Sequence, residues 1–125
     1  MTRAEFTIAI PTKSMPTANG QRREHYHVQA RAAKDLRAQA CAIGKGLGRV
    51  DTPAQITITV GKAHNGVWDV DNVSAKALID GIVDAGMLPD DNTRYLKRVT
   101  KEEGPRHERK GLVVVTVVVE TMESP

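Results

Sequence analysis

The sequence predicts an α+β fold, a small mixed β-sheet with helices packed on one side, in the order β-α-β-α-β-β. Two observations carry this prediction: four short segments have strand-like character, and two longer segments place apolar residues at helical spacing. A third is that the last two strands follow each other without a helix between them. With 125 residues, of which 40% are hydrophobic, the chain is long enough for one core, so we expect a single domain over residues 1–125.

The first half of the chain is predicted to form a strand, a long helix and a second strand. Residues 5–10 alternate polar and apolar side chains, as in a half-buried strand. Residues 21–43 are rich in Ala, Arg, Gln and Lys and carry an apolar stripe at three- and four-residue steps, which predicts a helix. Residues 54–60 alternate Ile or Val with Thr, which indicates a strand. Three glycines are expected to end the first helix: Gly44, Gly46 and Gly48.

The second half is predicted to form a helix followed by two strands. The helix covers residues 72–85 and stops at Gly86, a residue suited to a left-handed helix end. Residues 95–101 are predicted to form a strand. Residues 112–120 are almost continuously apolar, which predicts a strand buried on both faces, either at the centre of the sheet or in a subunit interface.

Charge is unevenly distributed along the chain, whose net charge is +3. Residues 22–49 hold seven Lys or Arg against two acids, residues 94–110 hold seven against three, and residues 69–91 hold six Asp against one Lys. Basic clusters of this kind bind phosphate backbones, although a solvated basic surface is an equally good interpretation of charge alone. The residues predicted to contact DNA are Arg22, Arg23, Arg31, Lys34, Arg37, Lys97, Arg98 and Lys101.

The acidic segment suggests a metal site. Asp69 and Asp71 are two apart, so in an extended chain their carboxylates point to the same side. Lys76 and Asp80 lie one helical turn apart, and the pair Asp90-Asp91 follows the helix. Carboxylate oxygens suit Mg²⁺, which can hold a phosphate oxygen and activate water, while a lysine stabilises the charge that builds up.

Each part of this segment also has an ordinary structural explanation. Asp69 or Asp71 could cap the helix, and the sequence Pro-Asp-Asp-Asn at 89–92 is typical of a turn. Lys76 and Asp80 could form a surface ion pair contributing less than about 1 kcal/mol. Whether the chain folds back to bring Asp91 near Asp71 does not follow from spacing.

The ordered residues of this segment resemble the RusA-type Holliday-junction resolvases of phages and bacteria. The resemblance covers the run Asp69-Val-Asp-Asn72, then Lys76 with Asp80, then the Ala-Gly helix end, then Asp90-Asp91. It implies a RusA-like fold and a homodimeric, Mg²⁺-dependent endodeoxyribonuclease, with Mn²⁺ as a possible substitute, that cuts four-way DNA junctions in pairs. It further implies metal-binding roles for Asp69, Asp71 and Asp91, an essential role for Lys76, and supporting roles for Asn72, Asp80 and Asp90.

One spacing departs from the family pattern. Lys76 follows Asp71 by five residues here, whereas the better-known pattern has four. One extra residue turns Lys76 by about 100° around a regular helix. This bears on how Lys76 is placed against Asp71 and on whether activity is complete.

Two other functions remain open at this stage. The first is a non-catalytic or altered-specificity module that binds branched DNA with the same fold, and the second is a small metal-dependent hydrolase of nucleotides. Cys41 is predicted to be a packing residue, and His25 and His27 to contact phosphate or solvent rather than zinc. Without an apolar leader or a long apolar run, the sequence predicts no membrane association and a location in the cytoplasm of a bacterium or of a phage-infected host.

Overall fold

The computed structural model describes residues 1–11, 22–62, 73–105 and 111–122, with the backbone alone at 22–29 and 62. In this part of the chain the order β-α-β-α-β-β and the α+β class are confirmed. No helix in it is long and apolar enough to span a membrane. The elements are β1 (Arg3–Pro11), α1 (Arg22–Leu47), β2 (Ala54–Lys62), α2 (Ala75–Asp84), β3 (Leu96–Glu103) and β4 (Leu112–Thr121).

The four strands form one mixed sheet in the order β1-β4-β2-β3. Strand β4 runs antiparallel to both β1 and β2, whereas β2 and β3 are parallel neighbours. Parallel neighbours need a crossover connection, which includes α2 here. The connection brings the end of α2 close to the start of β2, since the Val50 N–H donates to the Met87 carbonyl and the Ala54 N–H to the Tyr95 carbonyl, at 2.9 and 2.8 Å.

Strand β4 is central, one of the two positions predicted for it, but within this chain only one of its faces is fully buried. Its side chains alternate between buried and half-buried along the strand. The reason is that the helices cover one face only, and an antiparallel arrangement tolerates an open second face. The residues that point toward the helices are Val113, Val115, Val117 and Val119, all at most 1% exposed.

The core lies between the sheet and the two helices. Leu36 and Ala40 of α1 and Leu78 and Ile82 of α2 join the inward side chains of the strands in one buried cluster. Full burial of a Leu or Ile side chain contributes roughly 1.5–3 kcal/mol, so these few residues hold both helices on the sheet. The positions of the charged groups described below follow from this docking.

Both helices differ from prediction at one end. The long helix continues through Gly44 and Gly46 to Leu47, so the predicted stop at residue 44 is wrong, and Gly48, with φ of 94°, follows its end. The second helix begins at Ala75 rather than at residue 72. Its N-cap is Ser74, whose hydroxyl accepts the Ala77 N–H at 3.1 Å, so the predicted cap by Asp69 or Asp71 is also wrong. Gly86, with φ of 82°, is confirmed as the left-handed stop.

Candidate active site

The structure describes only part of the predicted acidic site. Asp69, Asp71 and Asn72 lie outside the described residues. The structure describes the other four residues of the predicted site, which lie on α2 and on the loop that follows it: Lys76, Asp80, Asp90 and Asp91.

Lys76 stands at the start of α2, directly after the capping turn. Ser74 is the N-cap, so Lys76 is the second helical residue, and its side chain is 82% exposed. A cation is disfavoured at the positive end of a helix dipole. Asp80, one turn later, offsets this cost because its Oδ2 lies 3.7 Å from the Lys76 Nζ. The result is an ammonium group presented to solvent with one carboxylate behind it.

Asp80 and Asp84 connect α2 to α1 through Arg37. The Arg37 Nε and Nη2 donate to the two carboxylate oxygens of Asp84 at 2.6 and 3.0 Å, a bidentate pair. The Arg37 Nη1 also lies 3.7 Å from the Asp80 Oδ2. Hydrogen bonding by Arg37 lowers the pKa of Asp84, and the same bond raises the pKa of Arg37. Lys76, Asp80, Arg37 and Asp84 therefore form one chain of alternating charge across the two helices.

The helices approach closely enough for this pairing because Gly81 faces α1. A Cβ at Gly81 would lie 2.5 Å from the Arg37 carbonyl oxygen and 2.7 Å from the Ala40 Cβ. Gly81 is one residue after Asp80 and three before Asp84, so the same contact sets the distance from Arg37 to both acids.

Asp90 and Asp91 have different surroundings although they are adjacent. The Asp90 carboxylate accepts the Asp91 N–H at 2.7 Å and the Asn92 side-chain amide at 3.2 Å. The first of these bonds is the main cause of the lowered pKa of Asp90, and a hydrogen bond with the Asp91 side chain adds to it. Asn92 in turn accepts the Arg94 N–H at 2.9 Å. Asp90 thus organises the loop, while Asp91 is exposed on it.

Most of α2 lies between Lys76 and Asp91 along the chain. Lys76 is in its first turn and Asp91 follows its last, and a helix of 10 residues rises about 15 Å. The Asp90-Asp91 loop lies near the start of β2, since Leu96 donates to the Asn92 carbonyl and pairs with Ala54. Within the described ranges, no three His, Cys, Asp or Glu residues are grouped so that they could hold a metal ion. Convergence of the four predicted catalytic side chains remains a prediction.

The predicted DNA-binding residues are spread over two elements. Arg31 and Lys34 are exposed on α1, and Lys97 and Arg98 are exposed on the edge strand β3, where Lys101 is half-buried. Arg22 and Arg23 begin α1, but their side chains are outside the described part. Arg37 differs from the others because Asp84 already occupies two of its donor groups.

Two structural features of the site were not predicted from the sequence: the helix cap by Ser74 and the pairing of Arg37 with Asp84. Ser74 carries a readable signal, because a Ser just before an apolar-periodic segment is a standard helix start. The pairing of Arg37 with Asp84 has no such signal, because 47 residues separate them and only the packing of α1 on α2 brings them together.

No protein-family model matches the sequence, and no curated protein matches it. The resemblance to RusA-type resolvases therefore depends on the motif residues themselves.

Proposed function

We propose that the protein is a RusA-like, Mg²⁺-dependent endodeoxyribonuclease that resolves four-way DNA junctions by paired phosphodiester hydrolysis. The observation that carries the proposal is the ordered set of residues from Asp69 to Asp91, with Lys76 at the exposed start of α2. The small α+β domain with an open, basic exterior is compatible with this activity. A cytoplasmic location of the bacterium or infected host belongs to the same proposal.

The active form in this proposal is a homodimer with composite sites. Lys76 is in the first turn of α2 and Asp91 follows its last turn, so most of the helix separates them along the chain. In a two-fold dimer, Asp91 of the partner subunit would complete the site that contains Asp69, Asp71 and Lys76. Two equivalent sites also match the two strands that a symmetric junction offers.

The roles of the residues follow from their chemistry. Asp69, Asp71 and Asp91 would provide carboxylate oxygens of the kind Mg²⁺ or Mn²⁺ prefers. The bound ion would supply Lewis-acid activation of the phosphate and of water. Lys76, which is exposed at the helix start, would stabilise negative charge on the phosphate. Asp80 would support the site by holding Lys76 in place, and Asp90 by holding the loop of Asp91 in place. Asn72 is the third supporting residue.

The decisive experiment is cleavage of a labelled four-way junction, with a flap and a plain duplex as controls, with and without Mg²⁺. We expect symmetric nicks on the junction alone, lost in Asp71→Asn, Asp91→Asn and Lys76→Ala. Binding without nicks would instead support the branched-DNA-binding module, and turnover of free nucleotides would support the small hydrolase.

Mixing two inactive variants tests the composite site. If Asp91 completes the partner's site, a heterodimer of Asp71→Asn with Asp91→Asn contains one intact site and nicks one strand. If each chain builds its own site, both sites of that heterodimer are damaged and mixing restores nothing. Lys76→Ala mixed with Asp71→Asn is the matched control, because both changes fall in the same half of the site and no mixture restores activity.

A further inference from the structure

A shallow groove of about 400 Å³ runs along the exposed side of α1. We call it the α1 groove. Lys34 stands at one end and Lys45 at the other, and the Arg37–Asp84 pair borders it. Its floor is made of small side chains, Ala38, Cys41 and Ala42.

The two lysines are the charged features of the groove that can receive a ligand. They are eleven residues apart, which is about three helical turns, so they lie on nearly the same face with a rise of about 16 Å between them. Both are exposed. Lys34 forms no ion pair with any described residue, and Lys45 acts on Asp84 only as the smallest contribution to its lowered pKa.

Arg37 contributes little to this surface although it lines the groove. Its guanidinium group is bidentate with Asp84, so the pair has no net charge and two of its donors are used. The α1 groove therefore presents the Lys34 ammonium group, then a stretch of small uncharged side chains, and then the Lys45 ammonium group. Small side chains on the floor allow a backbone to approach the helix closely.

We propose that the α1 groove docks the phosphate backbone of DNA, with Lys34 and Lys45 each contacting a phosphate. A rise of about 16 Å between the two backbone positions suits two phosphates of one extended polyanion better than a single phosphate group. The choice of DNA rests on the proposed function. The proposal adds Lys45 to the predicted DNA-binding residues and assigns Arg37 to the helix interface instead.

The test measures binding to a junction and to a duplex in EDTA, by fluorescence anisotropy between 50 and 200 mM NaCl. The logarithm of the association constant falls linearly with the logarithm of the salt concentration, and each lost phosphate contact reduces the magnitude of this slope by about 0.9. For the double variant Lys34→Gln/Lys45→Gln, the magnitude of the slope should decrease by about 1.8. Between 50 and 200 mM NaCl, wild type should therefore lose about 12-fold more affinity than the variant.

Two controls separate a contact from a general effect of charge. Arg3→Gln also removes one positive charge, but Arg3 is on the open face of the sheet, across from the helices, and should leave the slope unchanged. Arg37→Gln/Asp84→Asn alters the groove wall while keeping the net charge, and should also leave the slope unchanged. Urea denaturation of each variant checks that it is folded.

The outcomes distinguish this proposal from the nuclease proposal. If wild type binds DNA and the double lysine variant keeps its slope, or if Arg3→Gln lowers the slope as much as Lys45→Gln does, the groove proposal is overturned and the nuclease proposal stands. If the slope falls as expected but Mg²⁺ produces no nicks, the groove is confirmed and the nuclease proposal fails. If wild type binds no DNA, or only an RNA duplex, both fail.

Discussion

The close contact of Gly81 with α1 predicts that Gly81→Ala destabilises the protein although alanine is the better helix former. Gly81 is buried in the interior of α2, against the backbone of α1. The added methyl group would lie 2.5 Å from the Arg37 carbonyl oxygen and 3.1 Å from the Cys41 nitrogen. These are backbone atoms, so no side-chain rotation relieves the overlap and the helices must separate.

The expected size follows from two opposing effects. Replacing glycine by alanine inside a helix is favourable by about 1 kcal/mol. Overpacking a close contact costs about 1–3 kcal/mol. We expect the upper part of this range, about 2–3 kcal/mol, because two backbone atoms and the Ala40 Cβ are all within 3.1 Å. We expect a net loss of about 1–2 kcal/mol in the free energy of unfolding, which is a drop of roughly 1 M in the urea midpoint.

Gly46→Ala is the matched control. Gly46 is also helical, but a Cβ there meets nothing within 4 Å, so only the gain in helix propensity remains. Because Gly46 is in the last turn of α1, we expect a stabilisation of a few tenths to about 1 kcal/mol. Urea unfolding followed by circular dichroism measures both variants. If Gly81→Ala is stabilised as much as Gly46→Ala, the close approach of the helices, and the Arg37 pairing that depends on it, is refuted.

Three further predictions concern the ends of α2. Ser74→Ala should lower the free energy of unfolding by about 1 kcal/mol through loss of the N-cap, whereas Ser74→Asp should retain it, as urea midpoints would show. Arg37 holds the pKa of Asp84 below its ordinary 3.8. The pair therefore stabilises the fold fully above about pH 4 and loses this contribution as the pH falls through the lowered pKa. Urea titrations from pH 5 to pH 2 should show a shallower loss of stability for Asp84→Asn, and an equally steep loss would contradict the pairing. Asp90→Asn should retain more junction cleavage than Asp90→Ala, because an amide oxygen still accepts the Asp91 N–H. If Asp90→Asn is as inactive as Asp91→Asn, Asp90 acts directly in catalysis rather than in the loop.

The strands were predictable because their burial is one-sided. Residues 5–10 alternate in sequence because the same alternation separates the helix-covered face from the open face in β1. Strand β4 was placed correctly at the centre, but its burial was not. Val114 and Val118 are apolar without being covered by a helix, and a pattern of hydrophobicity alone does not separate a covered face from a half-buried one.

The helix ends were harder because tertiary contacts override local preference. Gly44 looks like a helix stop, yet α1 continues through it. A side chain at this position would meet the Ala85 Cβ and the Met87 Sδ, both at 2.8 Å. The glycine is explained by a neighbouring element that is distant in sequence. Gly86 was correctly predicted because its role is local, a left-handed residue directly after the helix.

In the candidate site, too, local contacts could be predicted from the sequence and contacts between distant segments could not. The contact of Lys76 with Asp80 could be predicted because residues four apart on a helix are neighbours. The pairing of Arg37 with Asp84 could not be predicted, because only the docking of α1 on α2 brings them together, and the assignment of Arg37 to DNA stays a prediction. The relative position of Asp91 could not be derived either, since it depends on how the chain turns after Gly86.

Three of the six aspartates between residues 69 and 91 have partners within the described part of the chain, and these partners bear on the proposed function. Asp80 and Asp84 face Arg37, and Asp80 also faces Lys76, so two carboxylates are neutralised by pairing between or along the helices. Asp90 accepts two hydrogen bonds within its own loop. These three have structural partners that account for them without any metal. The family resemblance assigns cation binding to the other three, Asp69, Asp71 and Asp91, and this assignment stays a prediction. The contacts of Asp80, Asp84 and Asp90 explain these three residues by the packing of the helices and the geometry of the loop, independently of the resemblance.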